Sequence, residues 1–477
     1  MTRQTRRQFL RDTTLFAAAA AALGPTVAAQ DARPAKKVGP NDRIRVACIG
    51  FNGQGKSHLS NFSSLPDTIV TTICDVDSRL AADGIKRVAQ NQKVEPVFVQ
   101  DLRRIMDDKN IDVVSIATPN HWHALAAIWA IQSGKDVYVE KPVSHNVSEG
   151  RRIVDFARKH GRIVQTGTQS RSNTGMREAL DYILSGKIGK VTIAYGLCYK
   201  PRPSIGPKTT TPVPEGVDYN LWLGPAPEKP ITRGRFHYDW HWFWDYGNGD
   251  LGNQGIHEMD KARWGLNRHA LPETAFSFGG RFGYVDAGET ANTQVCLFNY
   301  GDAQLIFEVR GLPTRDFKGA KVGNVWIGTN GYVVSPNYAS AVAYTPDGQE
   351  VAKFKGSDNH YANFIKAVKS RKHTDLTADI EEGHLSSALC HLGNISYRLG
   401  QVSTAAAQKA ELPVGKEQLE AMLAHLRDNK VSIDDLPLRV GRQLRLNPST
   451  ERFIDDAEAN KLLTREYRKG FEVPEKV

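Results

Sequence analysis

Six short apolar runs alternating with helical stretches constrain this chain more than any other feature: RIRVACIG (43–50), TIVTTICD (68–75), VEPVFV (94–99), DVVSIAT (112–118), DVYVE (136–140) and RIVQTGT (162–168). Between them lie SRLAADGIKRVAQ, DLRRIMDD, HALAAIWAIQSG and SEGRRIVDFARKHG. Strands that are apolar almost throughout must be covered on both faces, and helices between successive strands supply that cover. The pattern therefore predicts an α/β fold whose first domain, residues 43–165, is a doubly wound parallel sheet.

Beyond Thr168 the rhythm changes. A helix (MREALDYILSG) and a strand (VTIAYGLCYK) precede a Pro-, Gly- and Trp-rich loop from Pro201 to Asp250, and a helix follows near Glu258–Trp264. FSFGGRFGY, TQVCLFNYG, AQLIFEVRG, NVWIGTNGYVV and AVAYTPDG are strand-length runs joined by Gly/Asp/Asn turns, which predicts an open, mainly antiparallel sheet in a second domain, 166–400. The helical stretches HYANFIKAVKSR and IEEGHLSSALCHLGNISYRLG are apolar on one face and should pack back on the body. Residues 401–477 are charged and mixed, with one good helix (KEQLEAMLAHLRDN), and read as an appended surface element.

The amino terminus reads as an address. TRRQFLRD, the apolar TTLFAAAAAALG and the small residues of TVAAQ have the order of a twin-arginine signal peptide (1–29), with cleavage expected near Ala29 and a polar linker over 30–42. The apolar run is too short for a membrane span, so no membrane insertion is expected after cleavage. That route exports folded proteins to the periplasm, so a tightly bound cofactor can travel inside. Cys48, Cys74, Cys198, Cys296 and Cys390 are odd in number and widely spaced, which suits free core thiols. The chain has 62 basic and 52 acidic residues. The excess is scattered, which argues against nucleic acid as a partner.

The first strand ends in GFNGQGKSH. Gly50 and Gly55 hold the outer positions of a dinucleotide fingerprint, Asn52 stands where the middle glycine belongs, and Gly53 and Gln54 complete the turn. Asp75 ends the second strand, where a carboxylate accepts ribose hydroxyls and repels a 2'-phosphate; Arg79 nearby could host that phosphate. The expected cofactor is therefore NAD, with NADP possible. Ligands of an open parallel sheet sit beyond the carboxyl ends of its strands. The fourth strand ends there in Thr118, Pro119, Asn120, His121, Trp122 and His123, and the fifth in Glu140, Lys141 and Pro142. Thr118, Pro119, Asn120, His123, Glu140 and Lys141 are thus cofactor-site candidates.

Taken together, the Gly-rich turn, ICD, TPN with a following histidine, EKP, QTGTQSR and GDLGNQGIHEMD resemble the Gfo/Idh/MocA family of glucose-fructose oxidoreductase and inositol dehydrogenase, over residues 43 to about 400. The resemblance implies a Rossmann domain, a carboxyl-terminal α/β domain whose open sheet often forms a homodimer or homotetramer interface, and catalysis by Lys141, aimed by a Pro142 that is often cis. An ammonium beside a hydroxyl that is becoming a carbonyl stabilises the developing negative charge. His257 matches the family's acid/base. Asn253 stands where the family usually carries Asp, so either Asn253 hydrogen-bonds the substrate or Asp250 or Asp260 supplies the charge. Arg171, Trp240, Trp242 and Trp244 are substrate candidates, since Trp faces suit the C–H faces of a sugar. His237, Asp239, His241 and Asp245 fit no standard ligand spacing, so no metal is expected. The implied activity is hydride transfer between NAD(P) and a secondary hydroxyl of a sugar, sugar derivative or cyclitol. Two alternatives stand beside it: a redox-neutral NAD-dependent glycosidase or lyase, and a sugar-binding protein without catalysis.

Overall fold

The computed structural model describes residues 42–404, 412, 414–433 and 436–477. The expected signal peptide and nearly all of the linker lie outside the described residues.

Strands β1 (Ile44–Ile49), β2 (Thr68–Cys74), β3 (Val97–Val99), β4 (Val113–Ile116), β5 (Asp136–Val139) and β6 (Val164–Thr166) form one sheet in the order 3-2-1-4-5-6. All its pairings are parallel. Alternation along β1 sets the two layers. Ile44, Val46 and Cys48 face helices α1 (Gly55–Ser64) and α2 (Ala81–Gln92), while Ala47 and Ile49 face α3 (Asn120–Gln132) and α4 (Val147–Lys159). The order reverses between β1 and β4, which opens a crevice at their carboxyl ends. At the start of α4 the Asn146 side chain accepts the Glu149 N–H, and the Glu149 carboxylate returns to the His145 N–H at 2.7 Å.

The second half begins with α5 (Thr174–Leu184), β7 (Val191–Cys198), α6 (Gly249–Asn253) and α7 (Gly255–Gly265). Strands β8 (Thr274–Gly280), β9 (Thr293–Asn299), β10 (Gln304–Arg310), β11 (Val322–Gly328), β12 (Gly331–Ser335), β13 (Ser340–Tyr344) and β14 (Glu350–Lys355) then join β7 in a second sheet. Its ladders are antiparallel except β7 with β10. Two long helices follow, α8 (His360–Ser370) and α9 (Ile380–Arg398). Helix α9 packs with α7 on the sheet face that carries Ala275, Cys296, Phe298, Leu305 and Phe307. Helix α8 returns to the first sheet, where Tyr361, Phe364 and Ile365 join the core beneath α1.

Residues 401–477 differ from the appended surface element that composition suggests. Strands β15 (Gln401–Thr404) and β16 (Pro437–Val440) extend the second sheet beyond β8, and β17 (Leu444–Asn447) pairs with both β8 and β18 (Arg452–Phe453). Helix α10 (Lys416–Asp428) carries Leu419, Met422, Leu423 and Leu426 at i, i+3, i+4 and i+7, one apolar stripe. That stripe covers Phe276, Phe278, Val295, Leu297 and Ile306, the opposite face of β8–β10. The tail then reaches the first domain, where Phe471 and Val473 complete the core around Trp122 and Trp129. A charged stretch gave no sign of this because only its minority of apolar residues does the packing. All five cysteines are free and buried. Among the described residues no helix is long and apolar enough to cross a membrane.

Leu426 is fully buried under the second sheet. Leu426→Ala is expected to cost about 2–5 kcal/mol of stability, read by denaturant titration, while leaving nucleotide affinity of the folded protein unchanged.

Candidate functional site

The cleft is built first by glycines. Gly50 takes φ +77°, and a Cβ there would lie 2.9 Å from the Ala117 carbonyl and the Thr118 nitrogen. A Cβ on Gly55 would lie 1.9 Å from the Gly50 oxygen, so α1 starts in contact with the turn. Gly53 is different: a Cβ there would meet nothing within 4 Å, so the space before the turn is open. Helix α1 has no side-chain cap and no acid in its first turn. Its positive end suits a pyrophosphate. The Thr118 Oγ1 is buried in the same wall without a partner. These residues fit a dinucleotide.

Asp75 lies in the wall at the end of β2 and accepts N–H bonds from Phe51 (2.9 Å) and Asp77 (3.1 Å). Each carboxylate oxygen keeps a further lone pair for a ribose hydroxyl. Burial raises its pKa, offset in part by those two bonds. Of the cofactor candidates, Gly55 and Arg79 do not line the cleft. Asp77 holds the Arg79 guanidinium through Nε and Nη2 at 2.8 and 2.6 Å, so a 2'-phosphate would share that group with a carboxylate. That pairing weakens the argument for NADP.

Glu140 and Lys141 divide the work at the end of β5. The Glu140 carboxylate turns inward, where His58 of α1 donates to it from Nε2 at 3.1 Å and the Lys141 N–H from 3.2 Å; the other His58 nitrogen meets Ser115 of β4 at 2.7 Å. Burial alone would raise the Glu140 pKa, but His58 and Lys141 hold it at about 2. A Cβ on Gly167 would lie 2.6 Å from this carboxylate, so residue 167 must be bare. The Lys141–Pro142 bond is cis. His123 fixes the turn from behind, with Nδ1 2.6 Å from the Pro142 oxygen and Nε2 2.8 Å from the Thr118 oxygen. Lys141 then points into the cleft, and its ammonium donates to the Asn253 backbone oxygen at 2.9 Å.

That bond joins the two domains: Asn253 lines the cleft and meets Lys141 through its main chain. His257 lies one helical turn further on, nearly buried, its ring 4.7 Å from that of Tyr338. Burial, then the charge of Lys141, push its pKa well below the ordinary value, so it is neutral and able to accept a proton. Neither acid expected to support it does so. Asp250 is held by Arg202 (2.8 and 2.6 Å), and Asp260 by Arg171 (2.8–3.0 Å) and Ser386. Glu140 is the acid whose charge His257 feels.

Other substrate candidates are corrected likewise. Arg171 is buried between Asp260 and Glu382 and does not line the cleft. His121 also stays behind the wall, bonded to the Trp222 oxygen. Of the three tryptophans only Trp240 lines the cleft; Trp242 is buried against Arg202, and Trp244 faces a separate depression. Pattern reading missed the roof formed by Trp222, His237, Tyr238 and His241. It is pinned to the end of β2 by His237 on Asp77 (2.9 Å) and by Asp218 N–H on the Val76 oxygen (2.9 Å). Its aromatic density was the available signal. His58 and the Lys200–Gln254–Tyr338 chain (2.9 and 2.7 Å) carried no comparable signal. Asp239 and Asp245 bond to Arg235 and Lys229, and among the described residues no His/Cys/Asp/Glu group could hold a metal.

The comparisons with known proteins agree with this geometry. Residues 44–168 match the model of the Gfo/Idh/MocA oxidoreductase family's NAD-binding Rossmann fold, and residues 204–433 that of its C-terminal alpha/beta domain. The chain belongs to the Gfo/Idh/MocA oxidoreductase family. Similar proteins include a glycosyl hydrolase family 109 protein of Shewanella pealeana, 31% identical over 168 residues (32% of this chain, 37% of the relative). Inositol 2-dehydrogenase of Salmonella typhimurium is 27% identical over 171 residues (35% of this chain, 49% of the relative). The matches thus span less than half of these relatives. Among solved structures, the Bordetella pertussis WlbA dehydrogenase in complex with NADH and UDP-GlcNAcA shares the fold at TM-score 0.55 and 20% identity, over 75% of this chain and 97% of that one. GenD2 from gentamicin A biosynthesis, in complex with NAD, does so at TM-score 0.52 and 18% identity, over 74% and 93%.

Asp75→Ala is expected to weaken NAD binding roughly ten- to a hundredfold and to narrow the gap to NADP, measured by calorimetry with both nucleotides. A carboxylate whose folded pKa is depressed stabilises the fold above its unfolded value and loses that contribution as pH falls. Glu140, held at about 2, should therefore lose its contribution as pH drops from its ordinary value of 4.5 toward 2. The stability gap between wild type and Glu140→Gln should accordingly be wider at pH 6 than at pH 3 in urea titrations.

Proposed function

We propose that this protein is an exported NAD-dependent oxidoreductase acting on a secondary hydroxyl of a sugar, sugar derivative or cyclitol. The observation that carries this reading is the Lys141 ammonium, set in a wall that fits a dinucleotide and bonded to the Asn253 carbonyl one helical turn before His257, whose ring feels its charge. When bound, the nicotinamide exchanges a hydride with the carbinol carbon. The residues do the rest. Lys141 holds the carbinol oxygen and stabilises its negative charge as the carbonyl forms, and His257 takes the hydroxyl proton. Burial lowers the Lys141 pKa, while Glu140 and Glu258 raise it. Trp240 offers an aromatic face to a sugar ring at the rim.

A second reading, redox-neutral cleavage of a glycosidic bond, is favoured by a specific observation: among the described residues His257 has no carboxylate bonded to it. A neutral imidazole is the form that can take a C–H proton made acidic by a neighbouring carbonyl. The glycosyl hydrolase family 109 relatives support the same idea. Export by the twin-arginine leader calls for a cofactor that stays bound and is reduced by one substrate and reoxidised by another. Assembly as a homodimer or homotetramer would use the part of the second sheet, β7 and β11–β13, that α10 leaves uncovered.

Incubation of the purified protein with a free sugar and with its aryl glycoside separates the readings. Lasting NADH absorbance supports the dehydrogenase; aglycone released without net NADH supports the glycosidase; neither leaves a binding protein. Lys141→Ala is expected to lower either activity by about a thousandfold or more while the protein still folds and binds NAD. Retained turnover removes Lys141 from the mechanism.

A further inference from the structure

A second depression lies apart from the cleft, where the turn after Pro142, the end of the Trp-rich loop, α9 and the carboxyl-terminal segment meet. It encloses about 1060 Å³ of empty space, part of it open to solvent. Two of its side-chain nitrogens, on His145 and His391, are buried with no partner. Arg398 at the end of α9 places its guanidinium 5.2 Å from the centre of the Trp244 ring and has no carboxylate partner among the described residues. Arg465, from the carboxyl-terminal segment, donates to the Asp245 carbonyl at 2.9 Å and to His145 Nδ1 at 3.1 Å.

The second of those bonds fixes a tautomer. A guanidinium can only donate, so His145 Nδ1 is the acceptor and its ring proton sits on Nε2. That Nε2–H is buried with no partner, as is Nδ1 of the nearby, nearly inaccessible His391. Burial, then Arg465, hold the His145 pKa well below its ordinary value. The nearby acids act on Arg398 through space but are bonded elsewhere: Asp245 to Lys229 at 2.6 Å and Glu289 to the Trp244 N–H at 2.9 Å, while Glu466 and Lys461 are both exposed. The amides are already used. Asn248 donates to the His145 oxygen and accepts from Asn120 of the cleft, and Asn394 donates to the Asn248 oxygen, so this chain of amides is the partition between the two sites.

We propose that this depression is a ligand site separate from the dinucleotide cleft, where Arg398 and Arg465 hold an oxyanion: the carboxylate of a small organic acid such as a sugar acid, or a free inorganic oxyanion. A planar fork of N–H donors matches two oxygens of such a group, and a stacked guanidinium is already oriented for it. The proposal does not depend on which reaction the cleft performs.

The test is calorimetric titration of NAD-saturated protein with sodium sulfate, with sodium glucuronate and with glucose, at constant ionic strength. Saturable binding of sulfate or glucuronate, without binding of glucose, is expected; a preference between the two anions tells the inorganic source from the organic one. Arg398→Gln, which removes no described hydrogen bond, should weaken that binding about tenfold or more and leave NAD affinity unchanged, with Arg398→Lys in between. Failure of both anions to bind, equal binding of glucose, or undiminished binding by Arg398→Gln overturns the proposal.

Discussion

The site depends on one buried contact, Glu140 with His58. A carboxylate removed from water must be satisfied, and this one is satisfied by His58 of the helix behind the glycine turn, itself held by Ser115 of the neighbouring strand, and by the next residue's own N–H. Its demand therefore fixes where α1 begins relative to the ends of β4 and β5. Because Glu140 occupies the inward direction, Lys141 takes the outward one. The acid and base of a single dipeptide thus serve opposite sides of the sheet edge, one holding the floor of the cleft together and one facing whatever enters.

The second constraint is the bond from Lys141 to the Asn253 carbonyl. It is a contact between domains, made by a side chain of the first to the main chain of the second, one turn before His257. A helix carbonyl is a neutral acceptor, so the ammonium is positioned without losing its charge to a carboxylate. The acids that would have quenched it, Asp250 and Asp260, are held by Arg202 and Arg171 instead. Glu140 and Glu258 still act on Lys141 through space, but burial and the neighbouring ammonium groups outweigh Glu140 at His257. Such surroundings favour anionic character on a substrate oxygen and disfavour a charged imidazole.

The parallel sheet was legible because its strands are apolar on both faces and its breaks fall at glycines, and the glycine turn and EKP were legible because backbone geometry leaves them little choice. The second sheet was legible in its central strands, where Gly/Asp/Asn turns punctuate them. Strands β15–β18 were not: they are two to four residues long and gain their stability from an edge that already exists. Roles that depend on a partner distant in sequence were also hidden. Arg171 looks like a pocket residue beside QTGT until Asp260 and Glu382 appear next to it, and Trp242 looks like a sugar platform until Arg202 covers it. Asn253 was noticed for its side chain, while the structure uses its carbonyl, which every residue type has.

The tail that carries Phe471 and Val473 against Trp122 and Trp129 sets an order of events during synthesis. The nucleotide-binding domain is encoded almost entirely in the first third of the chain, yet one layer of its core stays open until residue 473 has left the ribosome. An interrupted polypeptide would keep two indole rings in water and so remain distinguishable, to any system that inspects exposed apolar surface, from a finished one.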